Sequence, residues 1–186
     1  MNDRFLNKLQ EVLDDTLHDL TEKTDDQVKA FFDNYGVHYD EYYAYFLKHH
    51  GNDYVKDDYW FICKDDDGNM EQYMVDMLFG LQDCLGNIFD EIKDWADVVM
   101  DDVIPIADLP GGDLACMNKQ DGSIWFWFHD RDEDNFVMVA ESFEEFINGF
   151  EKEENEKTID LSTVKIELDD DLVESIKEFQ KRTRNE

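Results

Sequence analysis

Basic residues are scarce in this chain. Seventeen lysines and arginines stand against 48 aspartates and glutamates, a formal charge of −31 over 186 residues. A protein that grips a phosphate backbone or an anionic membrane needs a cationic face to displace counterions, so nucleic-acid and membrane binding are both set aside. Cysteine is also sparse. Cys63, Cys84 and Cys116 are odd in number, lie far apart and form no Cys-x-x-Cys, which leaves neither a zinc site nor a redox pair. They read as small hydrophobes in a reducing compartment. No apolar run approaches the ~20 residues of a membrane span. The first stretch, MNDRFLNKLQEVLDD, is charged throughout, unlike a signal peptide, and the expectation is a cytoplasmic protein. Internal repeats and low-complexity tracts are absent.

Catalytic patterns are missing as well. Ser123, Ser142, Ser162 and Ser175 do not stand in Gly-x-Ser-x-Gly contexts. The five histidines, at 18, 38, 49, 50 and 129, lack spacing of the His-Glu-x-x-His kind, and His49 and His50 suit the dipole at a helix C-terminus. No glycine-rich loop is built to cradle a phosphate. With so many acids some carboxylate pair can always be named as acid and base, so such a pair carries little information. The expectation is a protein that is not an enzyme and needs no cofactor. Calcium is the one metal worth a count. Asp130, Asp132, Asp134, Val137 and Glu141 match EF-hand spacing, with Asn135 in place of the usual glycine. Residues 125–128 and 137–140 read as strands, which would carry Glu141 away from the three aspartates. Residues 65–69, Asp-Asp-Asp-Gly-Asn, fail the spacing outright. Both are read as acidic hairpin loops without metal.

Aromatic residues, by contrast, are abundant: 14 Phe, 8 Tyr and 4 Trp argue for a packed core despite the charge. At this length one ordinary domain is expected. Between residues 103 and 150 four short runs rich in β-branched and aromatic side chains (103–107, 114–117, 123–128, 136–140) are separated by turn chemistry. Ser142 and Glu145 then form a capping-box pair opening a helix with Phe143, Phe146, Ile147 and Phe150 on one face. Asp113 is expected to brace its Gly-Gly-Asp turn by a hydrogen bond from side chain to backbone. Residues 59–64 and 72–81 read as two more strands around an Asp-Gly turn. An amphipathic helix is predicted over 3–20 from Phe5, Leu9, Val12, Leu13, Thr16, Leu17 and Leu20, its face turned to the core or to a partner. Thr24 and Gln27 cap a second helix closed by Gly36, and Tyr42, Tyr43, Phe46 and Leu47 mark a third that stops at Gly51. Residues 87–100 read as helical with Ile88, Ile92, Trp95 and Val99 inward. A charged link (151–157), a weak strand (163–168) and a last helix (169–181) complete the chain. The fold class is α+β: one domain, a largely antiparallel sheet of about six strands, with N-terminal, central and C-terminal helices.

The order of motifs from Ile104 to Phe150 (Pro-Ile-Ala, Gly-Gly-Asp-Leu, Asp-Gly-Ser-Ile-Trp-Phe-Trp, His-Asp, Val-Ala-Glu-Ser-Phe-Glu-Glu-Phe-Ile) resembles the SUKH superfamily, the Smi/Knr-like proteins. Residues 28–35 and 39–51 are similar to that family's paired opening helices, although Val37-His38 stand where the family usually has Leu-Pro. The resemblance covers residues 24–150, leaving 1–23 as an N-terminal helix and 151–186 as an extension. What it implies is a bacterial immunity protein, an antitoxin that neutralises a toxin, often a nuclease. The charge points the same way, since an acidic surface suits the positive cleft of a nuclease. The partner expected is therefore a basic toxin domain, blocked sterically and electrostatically. The alternative is a non-catalytic scaffold related to cell-wall-signalling members of the family. The contact surface is expected at the acidic loops Asp65, Asp66, Asp67 and Asp130, Asp132, Glu133, Asp134, with Trp125 or Trp127 as an aromatic anchor. Trp125 and Trp127 share one sheet face, and the competing reading is that this face is core. Monomer and homodimer both stay open.

Overall fold

A computed structural model of the chain describes residues 1–14, 21–64, 68–131 and 133–153. Helix α1, Asp3–Val12, starts where the Asn2 side chain accepts the Phe5 N–H at 2.9 Å. It ends well before the apolar stripe does. Leu13–Asp14 is a short strand, β1, paired antiparallel with β2, Tyr54–Val55. The reason lies in Lys56. Its backbone N–H donates to Val12 O at 2.9 Å, and its ammonium donates to Gln10 O at 3.1 Å and Glu11 O at 2.6 Å. The carbonyls that another helical turn would use are thereby taken. Thr16, Leu17 and Leu20 of the predicted stripe lie outside the described residues, as do the strand and helix expected beyond residue 153.

Helix α2, Asp25–Tyr35, carries the predicted reciprocal cap between Thr24 and Gln27, and Gly36 closes it at φ 65°. In α3, Glu41–His49, one carboxylate oxygen of Asp40 accepts the N–H groups of Tyr42 at 2.8 Å and Tyr43 at 2.9 Å. These two helices supply an aromatic layer in which Tyr43 lies 4.9 Å from the ring of Phe143.

The remaining strands are β3, Tyr59–Lys64; β4, Met70–Tyr73; β5, Met77–Leu78; β6, Val103–Leu109; β7, Asp113–Asn118; β8, Ile124–Trp127; β9, Phe136–Ala140; and β10, Phe150–Lys152. All pair antiparallel, in two sheets: a seven-stranded sheet in the order β1-β2-β5-β6-β7-β8-β9 and a three-stranded sheet β10-β3-β4. The class is α+β, as the pattern of segments predicts, but the strands divide between two sheets. The run 72–81 is broken at Met74–Asp76: β4 stays with its hairpin partner β3, while β5 crosses to sit between β2 and β6. Helix α4, Ile88–Asp94, is shorter than predicted and continues as turns, with Val99 still buried. Helix α5, Phe143–Asn148, is capped by Ser142, whose oxygen accepts the Glu145 N–H at 3.2 Å. The Glu145 carboxylate turns to the N–H of Glu141 instead, and Phe150 leaves the helix face for β10.

Side chains of β8 show how the layers stack. Phe126 points toward the small sheet and α5, with Phe61 at 5.4 Å and Phe146 at 6.2 Å. Trp127 points to the opposite face and meets Trp95, just past α4, at 5.8 Å. A central sheet strand covered on both faces buries side chains of either parity.

Candidate interaction surface

At one end of the large sheet the chain reverses between β6 and β7 through Gly111 and Gly112, at φ 88° and 95°. Two successive left-handed residues are tolerated by glycine and strained in anything larger. Asp113 follows. Its carboxylate does accept a backbone N–H, as expected, but that of His129 at 3.0 Å, and the same oxygen lies 2.8 Å from His129 Nδ1. Asp113 thus ties its own turn to the loop between β8 and β9. That loop is closed by Phe128 N–H on Asn135 O at 2.9 Å, and Arg131 lies over the Phe128 ring at 3.7 Å. Asp130, Glu133 and Asp134 are exposed on it, Asp134 at φ 51°. Asp132, and the other predicted loop of Asp65, Asp66 and Asp67, lie outside the described residues.

The two tryptophans part company. Trp127 is only 6% exposed beneath Trp95, so it is a core side chain; the segment carrying α4 covers the face on which an anchor was expected. Trp125 is half-buried, and its indole N–H donates to Ser123 Oγ at 2.8 Å. The EF-hand spacing also meets its geometry here. β8 and β9 flank the loop, and five strand residues at ~3.3 Å each carry Glu141 about 17 Å away from it. Asp113, His129 and Asp130 bring ligand-type atoms within 4.8 Å of one another, as a surface cluster already joined by the Asp113–His129 hydrogen bond.

The same sheet end holds residues that no motif flagged. Asp76 N–H donates to Asp108 O at 2.9 Å, drawing β5 onto β6. Between β2, β5, β6 and α4 a cleft of about 720 Å³ opens. Its floor is apolar, with Val75, Met77 and Phe79 buried, and Leu85, 71% exposed, stands at its rim. Its walls carry Asp57, Asp76, Asp108 and Glu91, with the Trp95 ring beside them. Burial raises the pKa of Asp76, and the charge of Asp57 adds to it. Burial also raises Asp108, helped by Asp76 and opposed by the Leu109 N–H. For Glu91, burial again leads and Asp108, Asp94 and Asp90 push the same way, while the Trp95 indole N–H, 3.3 Å away, opposes them. Among the described residues the basic side chain on the cleft wall is Lys56, whose ammonium is committed to the end of α1. The acids lie 15 and 17 residues apart along the chain, at 76, 91 and 108, so no spacing rule finds them. The available signal was an acid interrupting an apolar run, as in Val75-Asp76-Met77 and Ala107-Asp108-Leu109.

Fold and surface together define an α+β protein that presents an acidic, partly apolar face at one end of an antiparallel sheet. The chain belongs to the SMI1/KNR4 family (SUKH-1), whose profile matches residues 23–149, a family known for toxin-immunity proteins. It is 30% identical over 174 residues to the SPbeta prophage-derived uncharacterized protein YokK of Bacillus subtilis (strain 168), an alignment spanning 82% of this chain and 88% of that protein. No solved structure matches it significantly. No helix among the described residues is long and apolar enough to cross a membrane.

Proposed function

We propose that this protein is an immunity protein that binds a basic toxin domain, of nuclease type, and blocks it without modifying it. The observation that carries the reading is the charge of −31 on a member of a toxin-immunity family. A nuclease concentrates positive potential where phosphates bind, and an acidic protein surface competes for that potential and covers the cleft. The acidic loops, Asp65–Asp67 and Asp130–Asp134, are the steering surface in this reading, with half-buried Trp125 of β8 as the aromatic contact. Trp127 contributes from beneath by supporting Trp95. Catalysis by the inhibitor plays no part. Fast encounter suits the task, because free toxin does damage while it waits.

Co-expression with the toxin domain encoded beside it, scored by cell survival, tests the proposal directly. Stopped-flow mixing of the two purified proteins then gives the association rate. Survival with a stoichiometric complex is the expected result. Cell death in the presence of folded protein, with no complex formed, overturns the reading and favours a scaffold role.

A further inference from the structure

We propose that the cleft between β2, β5, β6 and α4 seats an arginine side chain presented by an apolar segment of the partner protein. The inference rests on the immunity reading for the partner's identity, and on the cleft alone for its chemistry. The volume, about 720 Å³, accommodates a long side chain together with a flanking apolar residue. Val75, Met77 and Phe79 offer an apolar floor for the aliphatic stem, and Trp95 offers an aromatic ring for the planar head. Asp76, Asp108 and Glu91 supply charge around that head.

Three features favour a guanidinium over other cations. First, Asp76, Asp108 and Glu91 are partly desolvated and stand near other acids, and both effects push their pKa values up. A cation placed among them relieves both penalties. Second, Lys56, the basic side chain on the cleft wall among the described residues, is held off by the carbonyls of Gln10 and Glu11 and leaves the acids without its ammonium. Third, the acids are dispersed. Among the described residues the group with ligand atoms close enough to share one ion is Asp113, His129 and Asp130, outside the cleft. A broad, planar cation with five donors spans a dispersed set of acceptors better than a small ion does.

The Trp95 indole N–H reports on the cleft from inside it, and its signal in a ¹⁵N spectrum is assigned with Trp95→Phe. The full chain is titrated with a capped hexapeptide carrying two arginines around a leucine, and with the same peptide carrying uncharged citrulline. Lysine-containing peptide and magnesium chloride serve as further probes. The expected result is a saturable shift of the Trp95 signal with arginine, at least about tenfold weaker with citrulline or in an Asp108→Asn/Glu91→Gln protein. Both substitutions keep an oxygen acceptor, and Asp3→Asn/Asp26→Asn, exposed on other helices, controls for lost charge. No charge-dependent shift at Trp95, or a stronger response to magnesium, overturns the proposal. The second arm uses the neighbouring toxin domain. Loss of protection in Asp108→Asn/Glu91→Gln supports the cleft as the seat. Undiminished protection overturns the cleft and leaves the immunity reading standing. A wild-type protein that fails to protect overturns the immunity reading, and the peptide titration then judges the cleft by itself.

Discussion

Tyr43 shows what a single buried atom costs. Its ring is 0% exposed and central to the aromatic layer, yet its hydroxyl has no hydrogen-bond partner among the described residues. Burial pushes the phenol's pKa far up, so it stays protonated. An unsatisfied buried hydroxyl is a penalty that phenylalanine lacks, so Tyr43→Phe is expected to leave stability unchanged or raise it by up to ~1 kcal/mol in urea unfolding. The cleft acids make an opposite kind of residue-scale statement. Because Asp76, Asp108 and Glu91 have raised folded-state pKa values, the folded chain holds their protons more tightly than the unfolded chain does. Their cost to stability is complete above the folded value and vanishes below the unfolded one. Asp108→Asn is therefore expected to raise Tm at neutral pH by roughly 1–3 °C, allowing for solvent screening, and to change nothing near about pH 3. Scanning calorimetry at the two pH values checks both the sign and the window.

At the scale of elements, the loop from Leu81 to Asn87 is the piece that positions the cleft rim. Asn52, fully buried, donates to Leu85 O at 2.7 Å and to Gln82 O at 3.3 Å. Gly80 permits this closure: a Cβ there would lie 2.5 Å from Gly51 O and 2.6 Å from Asn52 Oδ1. Backbone on one side cannot move away, so Gly80→Ala is expected to cost about 1–3 kcal/mol in chemical denaturation. Turn and cap chemistry made most elements legible in advance. Thr24 with Gln27, Gly36, and the four runs after Val103 all act locally, and local rules found them. The failures have tertiary causes. Met74–Asp76 is apolar enough to continue a strand, and the chain breaks there because β4 and β5 serve different sheets. Leu13 is buried in strand geometry as well as it would be on a helix, and what ends α1 is a lysine more than 40 residues away in sequence. Of the candidate site, the exposed acids of the β8–β9 loop were legible from charge, whereas for Trp127 anchor and core both stayed open, because period-two alternation marks a face without saying what covers it.

For the whole molecule, net charge sets how a partner arrives and packing sets how long it stays. Association with a basic toxin is expected to slow steeply as salt rises past ~0.1 M, where the Debye length is about 10 Å. Neutralising Asp130, Glu133 and Asp134 together is expected to lower the association rate while leaving Tm unchanged within about 1 °C, since exposed acids add little stability. Stopped-flow traces at two ionic strengths, beside a melting curve, separate these effects. The cap that Lys56 places on α1 has a further meaning here. A lysine on the wall of an acidic cleft is a tethered competitor for any cation that enters it. The carbonyls of Gln10 and Glu11 at the end of the N-terminal helix hold that ammonium instead. The C-terminal end of α1, beside the cleft, thereby sets how much of the molecule's charge a partner meets.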